Sequence, residues 1–287
     1  MKKQDLSGAT KYIGLVGSPV KNSLSPAIHN ASFEKLGLNY AYIAFDINDK
    51  YLLDSLRGMA SLGFLGFNVT TPCKTAIMPY LDEVSTVAEI MGAVNTVVIQ
   101  KGRFLGDNAD GAAFMRTLVF KGINIRGKKI TVLGGGAAGS AIVTQAALDG
   151  VSAIDIFNRK DAHLYSVGEV VSRLQQFAPD CAVSIHPLDD EEELAKSLSE
   201  SALVVNATTV GTYEVPGCLL KKEMLRKDLI VADAVYTPRE TELLKLAKEC
   251  GCVTVDGVGM FLQQAAIGER LWVGCSMPVD EIEEELF

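Results

Sequence analysis

The stretch Lys129-Ile-Thr-Val-Leu-Gly-Gly-Gly-Ala-Ala-Gly-Ser-Ala-Ile142 lies near the middle of the chain and decides the fold. Its apolar start, Ile130 to Leu133, predicts a strand that is buried on both faces. The pattern Gly134-x-Gly136-x-x-Gly139 follows at once and predicts a tight turn into a helix. Such glycines let the backbone approach a pyrophosphate, and the helix N-terminus offers N–H groups to it. The predicted dinucleotide-binding loop consists of Gly134, Gly135, Gly136, Ala137 and Ala138.

A glycine-rich turn can also be purely structural, so its surroundings matter. Ala153 to Phe157 predicts a second strand roughly 20 residues further on, the spacing of a βαβ nucleotide-binding unit. At its end stand Asn158, Arg159, Lys160 and Asp161. Arg159 or Lys160 would pair with the 2′-phosphate of NADP, whereas an acid such as Asp161 would bind the ribose of NAD. Both cofactors stay open, and the alternative is a solvated charged turn.

The composition limits the classes of function. A length of 287 residues favours two domains, and 48% hydrophobic with 22% charged residues is ordinary for a globular protein. The net charge of −8 argues against nucleic acid or an anionic membrane as a partner. We expect no membrane span, because no run reaches roughly 18 apolar residues. No apolar run follows the first lysines, so we expect no secretory signal.

Metal binding is not expected. The six cysteines are scattered, and Cys250-Gly-Cys252 is C-x-C rather than C-x-x-C, so we interpret them as reduced thiols in a cytoplasm. With three histidines in the chain, a multi-histidine site is improbable. The acidic run Asp189-Asp-Glu-Glu-Glu193 is interpreted as the first turn of a helix.

In the first part of the chain, polar side chains recur where predicted strands meet helices. Ser23 and Ser25 precede a helix predicted from Pro26 to Leu36, with Ser25 as its N-cap. Turn bonding explains two such serines as well as a ligand does. Thr70 and Lys74 stand at a strand-to-helix turn, the usual ligand edge of an α/β sheet, although a lone lysine is ordinarily a solvated surface charge.

Two further polar sites follow. A strand predicted from Ile90 to Ile99 embeds Asn95 and Thr96 among apolar residues, and buried polar groups need partners, either backbone or ligand. Asp110 stands where an N-cap is expected, before a helix predicted from Ala112 to Phe120, and a structural cap is its default interpretation.

These polar sites belong to motifs that occur in serial order along nearly the whole chain. The motifs are Ser23-Leu-Ser25-Pro26, Asn68-Val-Thr-Thr-Pro-Cys-Lys74, Gly92-Ala-Val-Asn95-Thr96, Asn108-Ala-Asp110-Gly111, Asn206-Ala-Thr208, Asp233-Ala-Val-Tyr236-x-Pro238, and Asp256-Gly-x-Gly259-Met260 with Gln264. With these seven motifs in this order, the chain resembles the shikimate dehydrogenase family, including its quinate/shikimate branch.

The resemblance implies a role for each site residue. Lys74 and Asp110 would form the catalytic pair. Ser23, Ser25 and Tyr236 would hold a carboxylate, and Thr70, Asn95 and Gln264 would bind ring hydroxyls. The cofactor would be held by the glycine loop together with Asn158, Arg159, Asp161, Thr208, Val235, Gly257 and Met260.

The activity implied is the reversible reduction of 3-dehydroshikimate to shikimate with NADPH, in aromatic amino acid biosynthesis, with quinate and NAD as second uses. Hydride transfer to a ketone leaves an alkoxide, and an ammonium such as that of Lys74 can protonate it and stabilise its charge. Asp110 would orient Lys74 and keep it charged. A homodimer is expected by analogy alone.

Two departures from the family pattern stand out. The third glycine of the usual loop is replaced by Ala137 and recovered at Gly139, which predicts a small shift in loop geometry. Strict NADP members carry Asn-Arg-Thr, whereas Asn158-Arg159-Lys160-Asp161 resembles the branch that uses either cofactor. The preference for NADP over NAD therefore stays open.

The fold class predicted is α/β with two open twisted sheets. Residues 1–110, completed by residues 259–287, would form the substrate domain, and residues 111–258 a Rossmann domain. Two alternatives remain: another two-domain nicotinamide enzyme, such as a methylene-tetrahydrofolate dehydrogenase, and a nucleotide-sensing protein that lost its chemistry. The first has no evident need for the serine loop, and the presence of both Lys74 and Asp110 weighs against the second.

Overall fold

The computed structural model describes residues 6–160 and 162–287, and the chain forms two compact units. The first unit ends at Ala109 and also includes Leu262–Phe287, and the second spans Asp110–Phe261. Each contains one six-stranded sheet with helices packed against it, so the predicted α/β class with two sheets is confirmed. The unit boundaries lie close to the predicted divisions at residues 110 and 259, while the functions assigned to the two domains stay predictions.

The described residues form twelve strands and eleven α-helices. In chain order they are β1 (Lys11–Gly17), α1 (Ser25–Lys35), β2 (Tyr40–Asp46), α2 (Leu52–Ser61), β3 (Gly66–Val69), α3 (Cys73–Ala76), β4 (Glu83–Val84), α4 (Thr86–Met91), β5 (Thr96–Gln100), β6 (Arg103–Asp107), α5 (Asp110–Phe120), β7 (Lys129–Leu133), α6 (Ala137–Leu148), β8 (Ala153–Asn158), α7 (Ala162–Leu174), β9 (Ala182–Pro187), α8 (Glu191–Glu200), β10 (Leu203–Asn206), β11 (Ile230–Asp233), α9 (Glu242–Glu249), β12 (Val253–Val255), α10 (Gly257–Val273) and α11 (Val279–Leu286).

The first sheet has the order β2-β1-β3-β5-β6-β4. Strands β1, β2 and β3 are parallel, whereas β5 runs antiparallel to both β3 and β6. Because β5 reverses direction, its first residue lies at the same edge of the sheet as the last residues of β1 and β3. Loops that follow β1 and β3, and the loop that precedes β5, therefore meet at one edge.

One predicted element of this unit was wrong. Instead of a strand from Ile90 to Ile99, the chain continues as α4 to Met91 and enters β5 only at Thr96. The side chain of Ser85 accepts a hydrogen bond from the Ala88 N–H and caps α4, and Gly92 ends it in the left-handed conformation at φ 64°. The apolar run from Ile90 is thus shared between a helix and a strand.

The C-terminal part of α10 completes the core of the first unit. Trp272 packs with Ile13, Leu15 and Phe33, and its indole N–H donates a 2.9 Å hydrogen bond to the carbonyl of Val97 in β5. The end of the chain is therefore built into the sheet formed by its beginning.

The second sheet is entirely parallel in the order β9-β8-β7-β10-β11-β12. This doubly wound order reverses direction between β7 and β10, and ligands of such sheets bind outside the carboxyl ends of the strands at that point. Ile130, Val132 and Leu133 of β7 are fully buried, which confirms the predicted buried strand. The glycine loop leaves β7 at the reversal point.

The acidic run begins a helix, as predicted: Asp190 caps α8 by accepting from the Glu193 N–H at 3.1 Å. In the part of the chain that the structure describes, no three His, Cys, Asp or Glu side chains are grouped so that they could hold a metal ion. Within the same residues, no helix combines the length and apolar character that crossing a bilayer requires.

Candidate functional site

The glycine loop after β7 contains two glycines that the fold requires, Gly134 and Gly139, and one that it does not, Gly136. Gly134 has φ +98°, and a Cβ there would lie 2.7 Å from Thr208 Cγ2. A Cβ on Gly139 would lie 1.9 Å from the Gly134 carbonyl oxygen, so Gly139 allows α6 to pack against the turn. A Cβ on Gly136 would meet nothing within 4 Å. Open space therefore lies at the first residues of α6, where a pyrophosphate would be held by N–H groups.

The replacement of a family glycine by Ala137 is accommodated. Ala137 is the first residue of α6 and is exposed, and the close contact with the turn is made by Gly139. The loop keeps the three properties that a dinucleotide site needs: a tight turn, an open backbone approach and a closely packed helix.

Asn158 at the end of β8 holds this loop by a side-chain hydrogen bond. Its side-chain oxygen accepts a 2.9 Å hydrogen bond from the Gly135 N–H, and its amide nitrogen donates to the Arg159 carbonyl at 2.9 Å. The next residues, Arg159 and Lys160, are exposed. Asp161, also expected at the cofactor, lies outside the described residues.

The ends of β10 and β11 carry the remaining predicted cofactor residues. Asn206 accepts hydrogen bonds from the N–H and the hydroxyl of Thr208 at 3.1 and 2.7 Å. Gly257 at the start of α10 lies against the loop after β11, since a Cβ there would be 2.5 Å from the Val235 carbonyl oxygen. Met260 in the next turn of α10 is 9% exposed. All these residues belong to the second unit, and their contact with a cofactor stays a prediction.

In the first unit, the loops at one edge of the sheet bring several predicted substrate residues close together. The Thr70 N–H donates to the Val16 carbonyl of β1 at 2.9 Å, and the Val94 N–H donates to the Lys74 carbonyl at 2.9 Å. The Lys74 backbone therefore lies beside Val94, the residue before Asn95, although Lys74 and Asn95 are 21 positions apart in the sequence. Both Thr70 and Lys74 are partly exposed at this edge.

Asn95 is held rigidly. It is 3% exposed, and its side-chain oxygen accepts hydrogen bonds from the Thr96 hydroxyl at 2.8 Å and the Ala109 N–H at 2.9 Å. The buried Asn95 oxygen thus finds its hydrogen-bond partners within the protein, as a buried polar group requires. The two bonds fix the orientation of the amide.

The prediction that Ser25 caps α1 was wrong. Ser25 is the first residue of the helix, and the capping position is Leu24, whose side chain makes no capping hydrogen bond. Ser23 instead accepts a hydrogen bond from the Ser25 N–H at 3.3 Å. The helix begins one residue earlier than predicted. The Ser25 hydroxyl therefore does not cap the helix and makes a tertiary contact instead.

That contact is with Tyr42 of β2, which sequence reasoning missed. Burial raises the pKa of Tyr42 well above its usual value, and a hydrogen bond with the Ser25 side chain partly offsets this rise. The Tyr42 hydroxyl donates to Asn68 Oδ1 at 2.7 Å, and Asn68 donates in turn to the Asn95 carbonyl at 3.1 Å. Tyr42 thus connects Ser25 to Asn95, and no local signal distinguishes it from other tyrosines in strands.

The predicted site residues divide between the two units. Ser23, Ser25, Thr70, Lys74, Asn95 and Gln264 belong to the first unit, and Asp110 and Tyr236 belong to the second with the glycine loop. Asp110 is the first residue of α5 rather than the residue before it. The Tyr236 ring stacks on Phe261 with centroids 4.5 Å apart. The pairing of Lys74 with Asp110 stays a prediction.

Comparisons with known proteins identify the family of the chain. The model of the shikimate dehydrogenase substrate-binding domain matches residues 15–97, and that of the shikimate 5′-dehydrogenase C-terminal domain matches residues 257–287. A shikimate dehydrogenase (NADP(+)) of Listeria monocytogenes is 45% identical over 284 residues, which cover 98% of this chain and 97% of that protein.

Two solved structures show the same similarity. Shikimate 5-dehydrogenase from Listeria monocytogenes, in complex with shikimate and NAD, has a TM-score of 0.96 and 44% identity and covers 99% of each chain. Quinate dehydrogenase from Corynebacterium glutamicum, in complex with NAD, has a TM-score of 0.87 and 32% identity over 96% of this chain and 98% of its own. The two sheets, the ordered motifs and these similarities together show that the chain belongs to the shikimate dehydrogenase family.

Proposed function

We propose that this protein catalyses the reversible reduction of 3-dehydroshikimate to shikimate with a nicotinamide cofactor, a step in aromatic amino acid biosynthesis. The observation that carries the proposal is the near-complete overlap with a relative whose structure holds shikimate and NAD. The loop edge of the first sheet and the glycine loop of the second supply the substrate and cofactor residues that this reaction needs.

The second unit fits a dinucleotide. The open space at Gly136 and the N-terminus of α6 suit the pyrophosphate, and Thr208, Val235, Gly257 and Met260 would complete the site. When bound, the cofactor supplies or accepts the hydride. Arg159, exposed after β8, is suited to the 2′-phosphate of NADP, and we propose that NADP is used, with NAD as a second cofactor.

The first unit would hold the substrate. Ser23 and Ser25, with Tyr236, would bind the carboxylate, while Thr70, Asn95 and Gln264 would bind the ring hydroxyls. The rigid hydrogen bonding of Asn95 and Ser25 supports this assignment, because pre-oriented polar groups bind a polar ligand at a smaller entropic cost.

Lys74 and Asp110 would carry the proton chemistry. The Lys74 ammonium would donate a proton to the oxygen of the reduced carbonyl and would take one from the hydroxyl in the reverse direction. Its positive charge would stabilise the developing alkoxide, and Asp110 would orient it.

Quinate is a second candidate substrate, because a quinate dehydrogenase with bound NAD shares the fold and 32% of the sequence. Purified protein assayed with shikimate or quinate, each with NADP or NAD, separates the candidates through kcat/KM. We expect the highest value with shikimate and NADP. Reduced nicotinamide formed only with quinate would reassign the substrate, and none formed in any combination would contradict an enzymatic role.

We also propose a cytoplasmic location, which the six free thiols support, and a homodimer, expected by analogy with the family. Light scattering of the purified protein tests the dimer, and a mass of one chain at micromolar concentration would contradict it.

A further inference from the structure

Asp233 is a buried acid at the carboxyl end of β11 to which the proposed reaction assigns no role. It is 2% exposed. Its Oδ1 atom accepts hydrogen bonds from the Asn206 amide at 2.9 Å and the Val235 N–H at 3.0 Å, and its Oδ2 atom accepts from the Thr241 hydroxyl at 2.7 Å. Three donors from three segments thus converge on one carboxylate.

Those donors belong to the loops that carry predicted ligand contacts. Asn206 is the residue that fixes Thr208, and its amide also donates to the Val210 carbonyl at 2.9 Å. Val235 is followed directly by Tyr236, and its carbonyl lies against Gly257. Asp233 therefore connects, through one or two hydrogen bonds, the loop after β10, the loop after β11 and the start of α9.

We propose that Asp233 is a positioning residue that sets the backbone of the Thr208 and Val235–Tyr236 loops for cofactor and substrate, and that it does so only as a carboxylate. This inference rests on the proposed function for the roles of those loops. The reason is the hydrogen-bond inventory: all three partners donate to Asp233, and the Asn206 amide nitrogen and the Val235 N–H cannot accept. A protonated acid would reverse the bond with the Thr241 hydroxyl and would accept less strongly from the other two, because bonds to an ionised acceptor are the stronger ones.

The ionisation state is sensitive to pH. Burial raises the pKa of Asp233 from its usual value to about 6, although the bonds from Thr241, Val235 and Asn206 act against the rise. Cys218 is close enough to Asp233 for their charges to interact: burial raises the pKa of the Cys218 thiol, and Glu242 and Asp233 raise it further. Glu242 directly follows Thr241 as the first residue of α9. A carboxylate with this pKa becomes neutral as the pH falls through about 6, and the bonds that the loops donate to it then weaken.

Asp233→Asn imitates the neutral form at every pH. We expect its kcat/KM at pH 8 to be about tenfold below wild type, the scale of one lost buried hydrogen bond. The KM of the cofactor should rise. The acid limb that we expect for wild type near pH 6 should be absent from this variant. Asp180→Asn, an exposed change in the same unit, is the control and should match wild type. Unchanged kinetics at pH 8, or the same acid limb in Asp233→Asn, would overturn the proposal.

A second pair of variants decides the question if Asp233→Asn does not fold. Thr241→Val removes the donor to Oδ2 and also the cap of α9, since Thr241 accepts from the Leu244 N–H, whereas Thr241→Ser keeps both. We expect weaker cofactor binding in Thr241→Val and rescue in Thr241→Ser. Loss of stability with unchanged cofactor affinity would show that Thr241 only caps the helix, and would contradict a role for Asp233 in positioning.

Cofactor affinity measured by fluorescence titration separates this inference from the proposed function. If wild type binds NADP but does not oxidise shikimate, the proposed function fails while the effect of Thr241→Val on affinity still tests the positioning role. If wild type is active and both variant pairs bind and react normally, only the positioning role fails.

Discussion

At the scale of single residues, hydrogen bonds within the protein fix the orientation of several polar side chains. Asn95 has its amide oxygen fixed by two internal donors, and Ser25 has its hydroxyl tied to a buried tyrosine. The Lys74 backbone lies next to the segment that carries Asn95, because the Val94 N–H donates to the Lys74 carbonyl.

Lys74→Ala is expected to lower kcat by about 10²–10⁴-fold, the usual effect of losing a group that transfers a proton. Cofactor affinity should change little, because the glycine loop belongs to the other unit. Lys50→Ala, an exposed change in the first unit, is the matched control. Steady-state kinetics with shikimate and NADP check this, and a kcat near that of wild type would remove Lys74 from the mechanism.

Arg159→Ala is expected to weaken NADP binding more than NAD binding, because only NADP carries the 2′-phosphate that a guanidinium can bind. The same change at the exposed Arg57, which lies in the first unit, should affect neither cofactor. Binding titrations with the two cofactors measure the difference. Equal losses for NADP and NAD would show that Arg159 does not contact the phosphate.

At the scale of elements, the β7–α6 turn combines a requirement of the fold with a requirement of the ligand. Gly139 is needed because α6 packs closely on the Gly134 carbonyl, and Gly134 is needed because of its positive φ and its contact with Thr208. Gly136 has open space around its Cα, so the protein alone would tolerate a side chain there. We therefore interpret Gly134 and Gly139 as requirements of the fold, and we predict that Gly136 is a requirement of the ligand.

Paired alanine variants of this turn are expected to behave differently. Gly139→Ala places a Cβ against the Gly134 carbonyl oxygen and should lower the free energy of unfolding by about 1–3 kcal/mol, the cost of overpacking. Gly136→Ala should cost at most about 1 kcal/mol as a changed cap, but should weaken NADP binding about tenfold or more, a loss of about 1.4 kcal/mol.

Urea unfolding without cofactor and NADP titration measure the two effects separately. Unchanged NADP affinity in Gly136→Ala would mean that the open space at the start of α6 is not the pyrophosphate site.

At the scale of the whole molecule, the C-terminal segment stabilises the unit formed by the first hundred residues. Glu269 of α10 is fully buried and accepts hydrogen bonds in α1, from Ser32 at 2.7 Å and at 2.8 Å from the ring nitrogen of His29. The His29 ring stacks on Tyr42 at 4.2 Å. The chain thus returns to its first unit through a buried polar contact as well as through Trp272.

Glu269→Ala is expected to lower the free energy of unfolding by roughly 3–5 kcal/mol, because it leaves buried polar groups without their partner. Glu269→Gln keeps the shape and some of the hydrogen bonds and should cost less. Glu284→Ala, an exposed change in α11, is the control. Denaturant unfolding followed by circular dichroism measures all three, and equal stability of Glu269→Ala and Glu284→Ala would contradict the role of this contact.

The sequence by itself determined the two sheets, the position of the glycine loop and the polar strand ends, because these depend on short-range patterns: apolar runs, turn residues and helix starts. Only the tertiary structure showed that Gly139 packs against the Gly134 carbonyl and that Ser25 forms a hydrogen bond with Tyr42 instead of capping the helix. It also showed that Asp233 accepts hydrogen bonds from three segments. The bonds involved connect residues far apart in the chain, 26 positions for Tyr42 and Asn68 and 27 for Asn206 and Asp233. Contacts of that range depend on how strands pair and helices pack, which no local pattern encodes.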